Sequence, residues 1–361
     1  MQSFCLSDGS CKMKKLVVNG KFLSQRTTGV QRFAREVVSR LDPLVKDLDV
    51  ELVMASDARD VPEFKNIKVK TLPGKASVFW EQIKLPLYLV RKKALGLHLC
   101  NVAPFLKPDI AVVHDANVER NPHWFTWKLV LWYSFLHRAC ALRAKKILTV
   151  SEFSKKELQD VFRIPDEKIA NVGEGWQHIE RIGFDEKALQ KYGLESKGFY
   201  FSLGTLALHK NLKWICEYAR MHPEENFALS GSCYKKVFGN AVLDFPENVH
   251  FLGYLSDEEI KTLMRDCKAF LFPSFYEGFG LPPLEALSLG TKIIVSDIPV
   301  MHEIFGDSAH YIDPAAPAGA DLNQLLETLA EEPFSALEKY NWDKVVEGVY
   351  EWAIRRADLA N

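Results

Sequence analysis

Two glutamates, Glu277 and Glu285, stand eight positions apart in the segment PSFYEGFGLPPLEAL, around a turn rich in glycine and proline. The apolar run Ala269–Pro273 just before them reads as a buried strand that ends in a loop. Gly278 and Gly280 carry no Cβ, so the backbone there can approach a ligand closely and take a positive φ. Pro282 and Pro283 pre-set φ for the next element, and the pattern predicts a helix over 284–288 closed by Gly290. A corner of this kind aims free backbone N–H groups and a helix N-terminus at one point, which suits a diphosphate. Carboxylates on either side of that point accept hydrogen bonds from sugar hydroxyls. The chemistry these residues fit is the binding of a nucleotide sugar.

A second cluster comes after the strand-like run Phe199–Ser202. Gly204 makes a turn, and Lys210 precedes a helix that starts near Asn211. A lysine at a helix N-terminus opposes the dipole unless an anion lies between them, so Lys210 is a candidate clamp for a diphosphate. In that position its charge would stabilise the leaving group as a sugar–phosphate bond breaks. In the first half, Thr27-Thr28-Gly29 precedes an amphipathic helix, and His114-Asp115 closes the buried run DIAVV at a strand's C-terminal end, where ligands sit in open α/β sheets.

The string EGFGLPPLEAL resembles the E-x7-E signature of retaining glycosyltransferases with the GT-B fold, in the group 1 family (family four of that classification). The resemblance implies that Glu277 contacts hydroxyls of the transferred sugar and Glu285 the nucleotide ribose. It implies that Gly278, Phe279, Gly280 and Leu281 present backbone N–H groups to the distal phosphate. GTLALHKN, from Gly204 to Asn211, resembles the family's phosphate-binding run with Lys210 as the catalytic cation. Thr205 is carried as a donor contact, although it stands where many members place an arginine that is the second phosphate cation. His209 is the neighbour that would have to replace that charge. TTGVQRF resembles the family's glycine loop, in which Gly29 faces the donor, and the H-D pair implies a role for His114 beside the transferred sugar. Gly231, Gly253 and Tyr254 fall in turns that approach the nucleotide base in the family. Ser151 reads as a helix N-cap, and Ser154 is expected to take no part in the cleft.

Strand-like runs at Lys15–Asn19, Val50–Met54, Ile67–Thr71, Ile110–His114 and Lys146–Val150 alternate with helical stretches such as Val30–Leu41. The pattern restarts at Gly198–Ser202, Asn226–Ser230, Val249–Leu252, Ala269–Pro273 and Lys292–Val295, after a polar connection over Asp185–Gly198. This is α/β with parallel sheets, and the resemblance implies GT-B: two Rossmann-like domains facing across a central cleft. Boundaries are expected at 1–190 for an acceptor-side domain and 191–342 for a nucleotide-sugar domain. Residues 343–361 are expected to form a helix that crosses back to the first domain. There is no fixed-period repeat and no low-complexity tract.

At 361 residues the chain exceeds what one core usually supports. A net charge of −1 argues against nucleic acid as a partner. The seven cysteines are scattered without a C-x-x-C pair, as expected of reduced thiols in a cytoplasmic protein. The start of the chain has no basic-then-apolar leader, and no apolar run approaches ~20 residues. Asp47-Leu48-Asp49 spells D-x-D in an ordinary charged stretch; no metal site is expected, and no cofactor beyond the nucleotide-diphosphate sugar as co-substrate. The segment 121–146 combines Trp124, Phe125, Trp127, Leu131, Trp132 and Phe135 with Arg138, Arg143, Lys145 and Lys146, and Lys84–Lys93 repeats the combination. Aromatic residues beside basic ones can seat a helix on an anionic bilayer, but the first expectation is a core helix with solvated charges. Val78–Pro86 is a candidate lining for the acceptor groove with Glu81 as its one acid, but the first expectation for Glu81 is a solvated charge between apolar neighbours.

The resemblance therefore implies a metal-independent retaining hexosyltransferase that moves a mannose- or rhamnose-type sugar to an acceptor hydroxyl, on a glycan or lipid-linked glycan. Surface polysaccharide or O-antigen assembly is the expected setting, with a peripheral contact on the cytoplasmic face of the inner membrane. The alternatives are a degenerate GT-B scaffold that binds without catalysis, and a GT-B epimerase.

Overall fold

A computed structural model of the chain describes residues 15–204, 207–231, 245–328, 330 and 334–355. Its first sheet has the order β3-β2-β1-β4-β5-β6-β7. The strands are β1 (Leu16–Asn19), β2 (Val50–Met54), β3 (Lys68–Thr71), β4 (Leu95–His98), β5 (Ile110–Val112), β6 (Lys146–Thr149) and β7 (Ile169–Asn171). The second sheet, ordered β10-β9-β8-β11-β12-β13, comprises β8 (Phe199–Leu203), β9 (Asn226–Ser230), β10 (Val249–Gly253), β11 (Ala269–Phe272), β12 (Ile293–Ser296) and β13 (His310–Ile312). Every pairing in both sheets is parallel. Runs such as Phe270-Leu271-Phe272 and Ile293-Ile294-Val295 are continuously apolar because helices cover both faces of a parallel sheet.

Strand order reverses between β1 and β4 in one sheet and between β8 and β11 in the other. Ligands in open α/β sheets bind outside the carboxyl ends of the strands at such points. Here His114, just past β5, lines one cleft with Gly204 and Glu277 of the second domain, and its N–H donates to Asn101, which lines a second cavity with Asn19. Three strands escape the sequence pattern. β4 is interrupted by Gly96, and β7 and β13 have three residues each, too short for a period to register.

Several contacts tie the two sheets' layers together. Trp342–Gly348 forms a helix whose buried Trp342, Val345 and Val346 pack toward the first domain, with the Trp342 ring 5.9 Å from that of Phe33 on α1 (Gly29–Leu41). Further along, Lys146 at the start of β6 lies over the Trp352 ring at 4.4 Å. Gly175 makes this approach possible: a Cβ there would lie 2.3 Å from the Trp342 backbone nitrogen.

The aromatic-basic segment is not core. Its helix, Trp127–Arg143, buries Leu136, His137, Ala139, Cys140 and Ala141, but leaves Trp127 68 % exposed and Leu131 62 % exposed. Leu87 and Val90 on the upstream helix Leu85–Lys92 are exposed to a similar degree. The Trp127–Arg143 helix has apolar residues on every side, so whichever face packs, another remains outside. No helix among the described residues is long and apolar enough to cross a membrane.

Candidate active site

The glycine-proline corner sits at the C-terminal end of β11. Its helix starts at Leu281, three residues earlier than the sequence predicts, and runs to Ser288. Gly280 is the N-cap at φ 110°, a left-handed conformation that favours glycine. Pro282 and Pro283 therefore lie in the first turn, where their missing N–H groups would have had no helical partner. The donors left at this terminus belong to Phe279, Gly280 and Leu281. All three residues line a cleft of about 430 Å³ between the two sheets, together with Glu277, Gly278 and Glu285.

Lys210 and Glu277 meet in this cleft, with Nζ 2.7 Å from Oε1 and the ammonium 5.1 Å from the centre of the Phe272 ring. Lys210 is placed by its neighbours: Asn211, left-handed at φ 55°, donates its side-chain amide to the Pro273 and Pro314 carbonyls at 2.9 and 2.8 Å. The lysine stem packs over Gly204, where a Cβ would sit in ordinary contact with its Cγ at 3.5 Å. The result is an ammonium held beside a carboxylate and close to a helix N-terminus, a pair that an incoming diphosphate and sugar would divide between them.

Glu285 is also held. His178, buried in a short 3-10 helix at Gln177–Arg181, has its Nε2 2.7 Å from Glu285 Oε1, while the Trp342 indole N–H donates to His178 Nδ1 at 3.0 Å. An indole N–H can only donate, so Nδ1 accepts and the ring proton sits on Nε2, facing the carboxylate. A chain of two hydrogen bonds thus runs from the C-terminal helix through the connection between the sheets to the second glutamate of the pair.

Residues 184–340 match the family described as glycosyl transferases group 1. They are a group 1 glycosyltransferase domain. The whole chain is 25% identical over 322 residues to the O-antigen chain mannosyltransferase RfbU of Salmonella typhimurium, spanning 83% of this chain and 87% of that protein. It is 29% identical over 221 residues to the O-antigen chain mannosyltransferase B of Escherichia coli, which covers 58% of each chain. Among solved structures, a sucrose-phosphate synthase from Thermosynechococcus elongatus superposes with a TM-score of 0.73 at 13% identity, over 97% of this chain and 100% of that one. The chain has the GT-B fold.

The other sequence-predicted residues are distributed unevenly. Gly29 lines the cleft as the first residue of α1; a Cβ there would meet no protein atom, so the space it leaves belongs to the cavity. Gly231 and Tyr254 line it too. Gly253 does not; its carbonyl accepts the Gly231 N–H and the Ser230 hydroxyl, each at 2.9 Å, and it shapes the wall from behind. Thr205 lies outside the described residues. His209 faces the cleft beside Trp124 and Phe125, and burial, together with the neighbouring Lys210, pushes its pKa down to about 4. It is neutral at pH 7 and does not replace the arginine missing at position 205.

His114 reaches the cleft, but its ring is engaged within the protein. Nε2 donates to the Leu99 carbonyl at 3.1 Å, and Nδ1 lies 3.4 Å from Oε1 of Glu174. Burial raises the pKa of the Glu174 carboxyl. The arrangement fixes the ring more than it offers a nitrogen to a sugar. Ser154, expected only in a helix, donates with Ser151 to the Gly278 carbonyl, at 3.1 and 2.6 Å. The Glu277–Leu281 loop is thereby latched to the first domain. Glu303 adds a second latch from the other side, accepting the Glu152 and Phe153 N–H groups at 2.7 Å each.

Sequence reasoning misses His178, Glu174, Arg32 and Asp257, all of which line the cleft. Arg32 and Asp257 bridge the domains at 2.6 Å. Arg32 is legible as the basic residue of TTGVQRF, three positions after Gly29 on the first turn of α1. His178 and Glu174 sit in NVGEGWQH, directly after the short strand β7; without that strand the segment has no visible place in the sheet.

Proposed function

We propose that the protein transfers a hexosyl group, of mannose type, from a nucleotide-diphosphate sugar to a glycan hydroxyl, with retention at the anomeric carbon and without a divalent cation. The observation that carries this reading is the Lys210–Glu277 pair at the N-terminus of Leu281–Ser288. With donor bound, Lys210 and the Phe279–Leu281 N–H groups would face the diphosphate, and Glu277 the sugar hydroxyls. The bond from C1 to the phosphate oxygen breaks with its electron pair going to the diphosphate. The acceptor oxygen attacks C1 from the same face, and its proton passes to the leaving phosphate oxygen. Lys210, Arg32 and the backbone dipoles are the positive groups that the described residues offer to the developing charge, and in this reading they do the work of a cation. The two O-antigen mannosyltransferase relatives support the sugar type and the setting.

A thermal-shift panel of UDP-, GDP-, dTDP- and CMP-sugars tests the reading. One nucleotide class, GDP for a mannosyl donor, is expected to stabilise the protein by about 2.7 kcal/mol at ~100 times its dissociation constant. Turnover should survive EDTA, and the product's anomeric configuration, read by NMR, should match the donor's. Inversion, or a requirement for added metal, would refute the corresponding part.

The exposed apolar residues favour a membrane-borne acceptor. Leu87, Val90, Trp127 and Leu131 project to solvent near the exposed Arg91, Lys92, Lys93, Lys128 and Arg138. Such surfaces bind anionic bilayers by burying apolar area next to basic side chains. The protein is expected to co-sediment with phosphatidylglycerol-containing vesicles and less with pure phosphatidylcholine, and Trp127→Ser with Leu131→Ser should weaken the binding about tenfold. Equal sedimentation of the variant would show that this face is not the contact.

A further inference from the structure

The hydrogen bonds that end on Glu285 join three separate parts of the chain. His178 belongs to the connection after β7, Trp342 opens the C-terminal helix, and Glu285 lies one turn into the helix Leu281–Ser288. Main chain and side chains both build the junction. The Trp342 backbone N–H donates to Gln177 Oε1 at 3.0 Å, one residue ahead of the histidine that accepts its indole N–H. The Trp176 indole donates to the Leu337 carbonyl at 3.2 Å. Trp176, Gln177 and His178 in succession thus fasten the connection to this end of the chain.

The side chains involved are polar and yet deeply enclosed: His178 is 2 % exposed and Glu285 8 %. A buried indole N–H needs an acceptor, which His178 Nδ1 supplies, and the histidine proton on Nε2 then needs its own, which Glu285 Oε1 supplies. The demand is met at each step and ends on a residue that lines the cleft, where no described donor meets Oε2. Glu285 also differs from the other paired acids of the cleft. Glu277 is held by the Lys210 ammonium and Asp257 by the Arg32 guanidinium, whereas the histidine that meets Glu285 is a neutral donor. A neutral donor orients a carboxylate without cancelling its charge. Such a group repels a diphosphate and calls for O–H donors, which a nucleotide presents on its ribose.

We propose that His178 and Trp342 are positioning residues for nucleotide recognition: they hold one oxygen of Glu285 so that the other is aimed at the ribose hydroxyls. The proposal rests on the donor reading above, since it needs a nucleotide in the cleft. Trp342 sets the direction of the chain, because its N–H excludes the tautomer that would turn a lone pair toward the carboxylate. His178 then removes the rotational freedom that Glu285 would otherwise lose on binding. Discrimination between ribose and a ring without hydroxyls therefore depends on the seating of the C-terminal helix against the connection.

The test is isothermal titration of the full chain with GDP and UDP and with the 2′,3′-dideoxy form of each. In the wild type the ribose form of the accepted base should bind about 30-fold more tightly than its dideoxy form, as hydroxyls on a charged acceptor require. His178→Ala should bring the two forms within about threefold by weakening the ribose form alone, and Glu285→Ala should do the same. Trp342→Phe, which keeps an aromatic ring in the core and removes the N–H, should lower the ratio by about threefold. His178→Gln, whose amide donates to Glu285 and accepts from Trp342, should restore most of the ratio. A histidine that served only to support the fold would weaken both forms equally and leave their ratio unchanged. The proposal is overturned if Trp342→Phe keeps the wild-type ratio, which can be read even where His178→Ala does not fold. It is also overturned if the wild type binds both forms alike, or if the ratio survives Glu285→Ala. Failure of every nucleotide to bind the wild type would remove the donor reading and this proposal together, whereas binding with an unchanged ratio removes this proposal alone.

Discussion

Lys210→Met is expected to lower kcat/KM by about 10³-fold, equivalent to ~4 kcal/mol of transition-state stabilisation. Two effects add. The variant removes the ammonium that would face the leaving diphosphate, a charge whose interaction is strengthened in a cleft that excludes much of the solvent. It also strips Glu277 of its partner at 2.7 Å, leaving a carboxylate to repel the incoming diphosphate. A double variant separates the two. Lys210→Met with Glu277→Gln should bind the nucleoside diphosphate more tightly than Lys210→Met alone, because the repulsion is gone, while its kcat stays low. Steady-state kinetics and titration with the diphosphate read both quantities. A loss below about tenfold in the single variant would show that the diphosphate is stabilised by other groups.

Gly278→Ala should lower kcat/KM by about 10²-fold, because it displaces the donor loop without removing any chemical group. A Cβ at this position would lie 2.8 Å from the His114 carbonyl oxygen and 3.1 Å from the Asp115 Cβ. The first is a backbone atom two residues past β5 and cannot rotate away. The loop must move off the first domain, and the Gly278 carbonyl would leave the Ser151 and Ser154 hydroxyls that hold it. Glu277 and the Phe279–Leu281 N–H groups would move with it. Overpacking of this kind typically costs about 1–3 kcal/mol, so the variant should fold with a lowered urea midpoint. Ser151→Ala with Ser154→Ala loosens the same latch without the steric clash and should lose less activity. Full activity in Gly278→Ala would mean that the two domains do not need this contact during turnover.

The glycine-proline corner is readable because its parts are contiguous. A strand, two glycines, two prolines and a helix lie within about twenty residues, and local backbone rules place them relative to one another. Even so, the helix starts three residues before its expected place. The prolines read as a stop ahead of the helix, whereas they occupy its first turn and Gly280 takes the cap. Lys210 is readable for a similar reason, since a cation just ahead of a helix calls for an anion. The alternation of strands with helices is enough for a parallel α/β architecture, although three short strands leave no periodic trace.

The glycine-proline loop, its two glutamates, the lysine and the class of fold are thus properties of local sequence. The groups that hold them in place are not. His178 meets Glu285 across 107 residues of chain, Arg32 meets Asp257 across 225, and Lys21 meets Glu81 across 60. Glu81 reads as a surface charge in a row of apolar neighbours, and the π-helical turn Trp80–Lys84 just ahead of Pro86 carries it inward instead. Trp127 and Leu131 read as core and are left in solvent. Periodicity reports which residues share a face of one element, but not which other element that face will meet. Pairings between distant segments depend on how the two sheets and the C-terminal helix pack, and that packing is set by the whole chain.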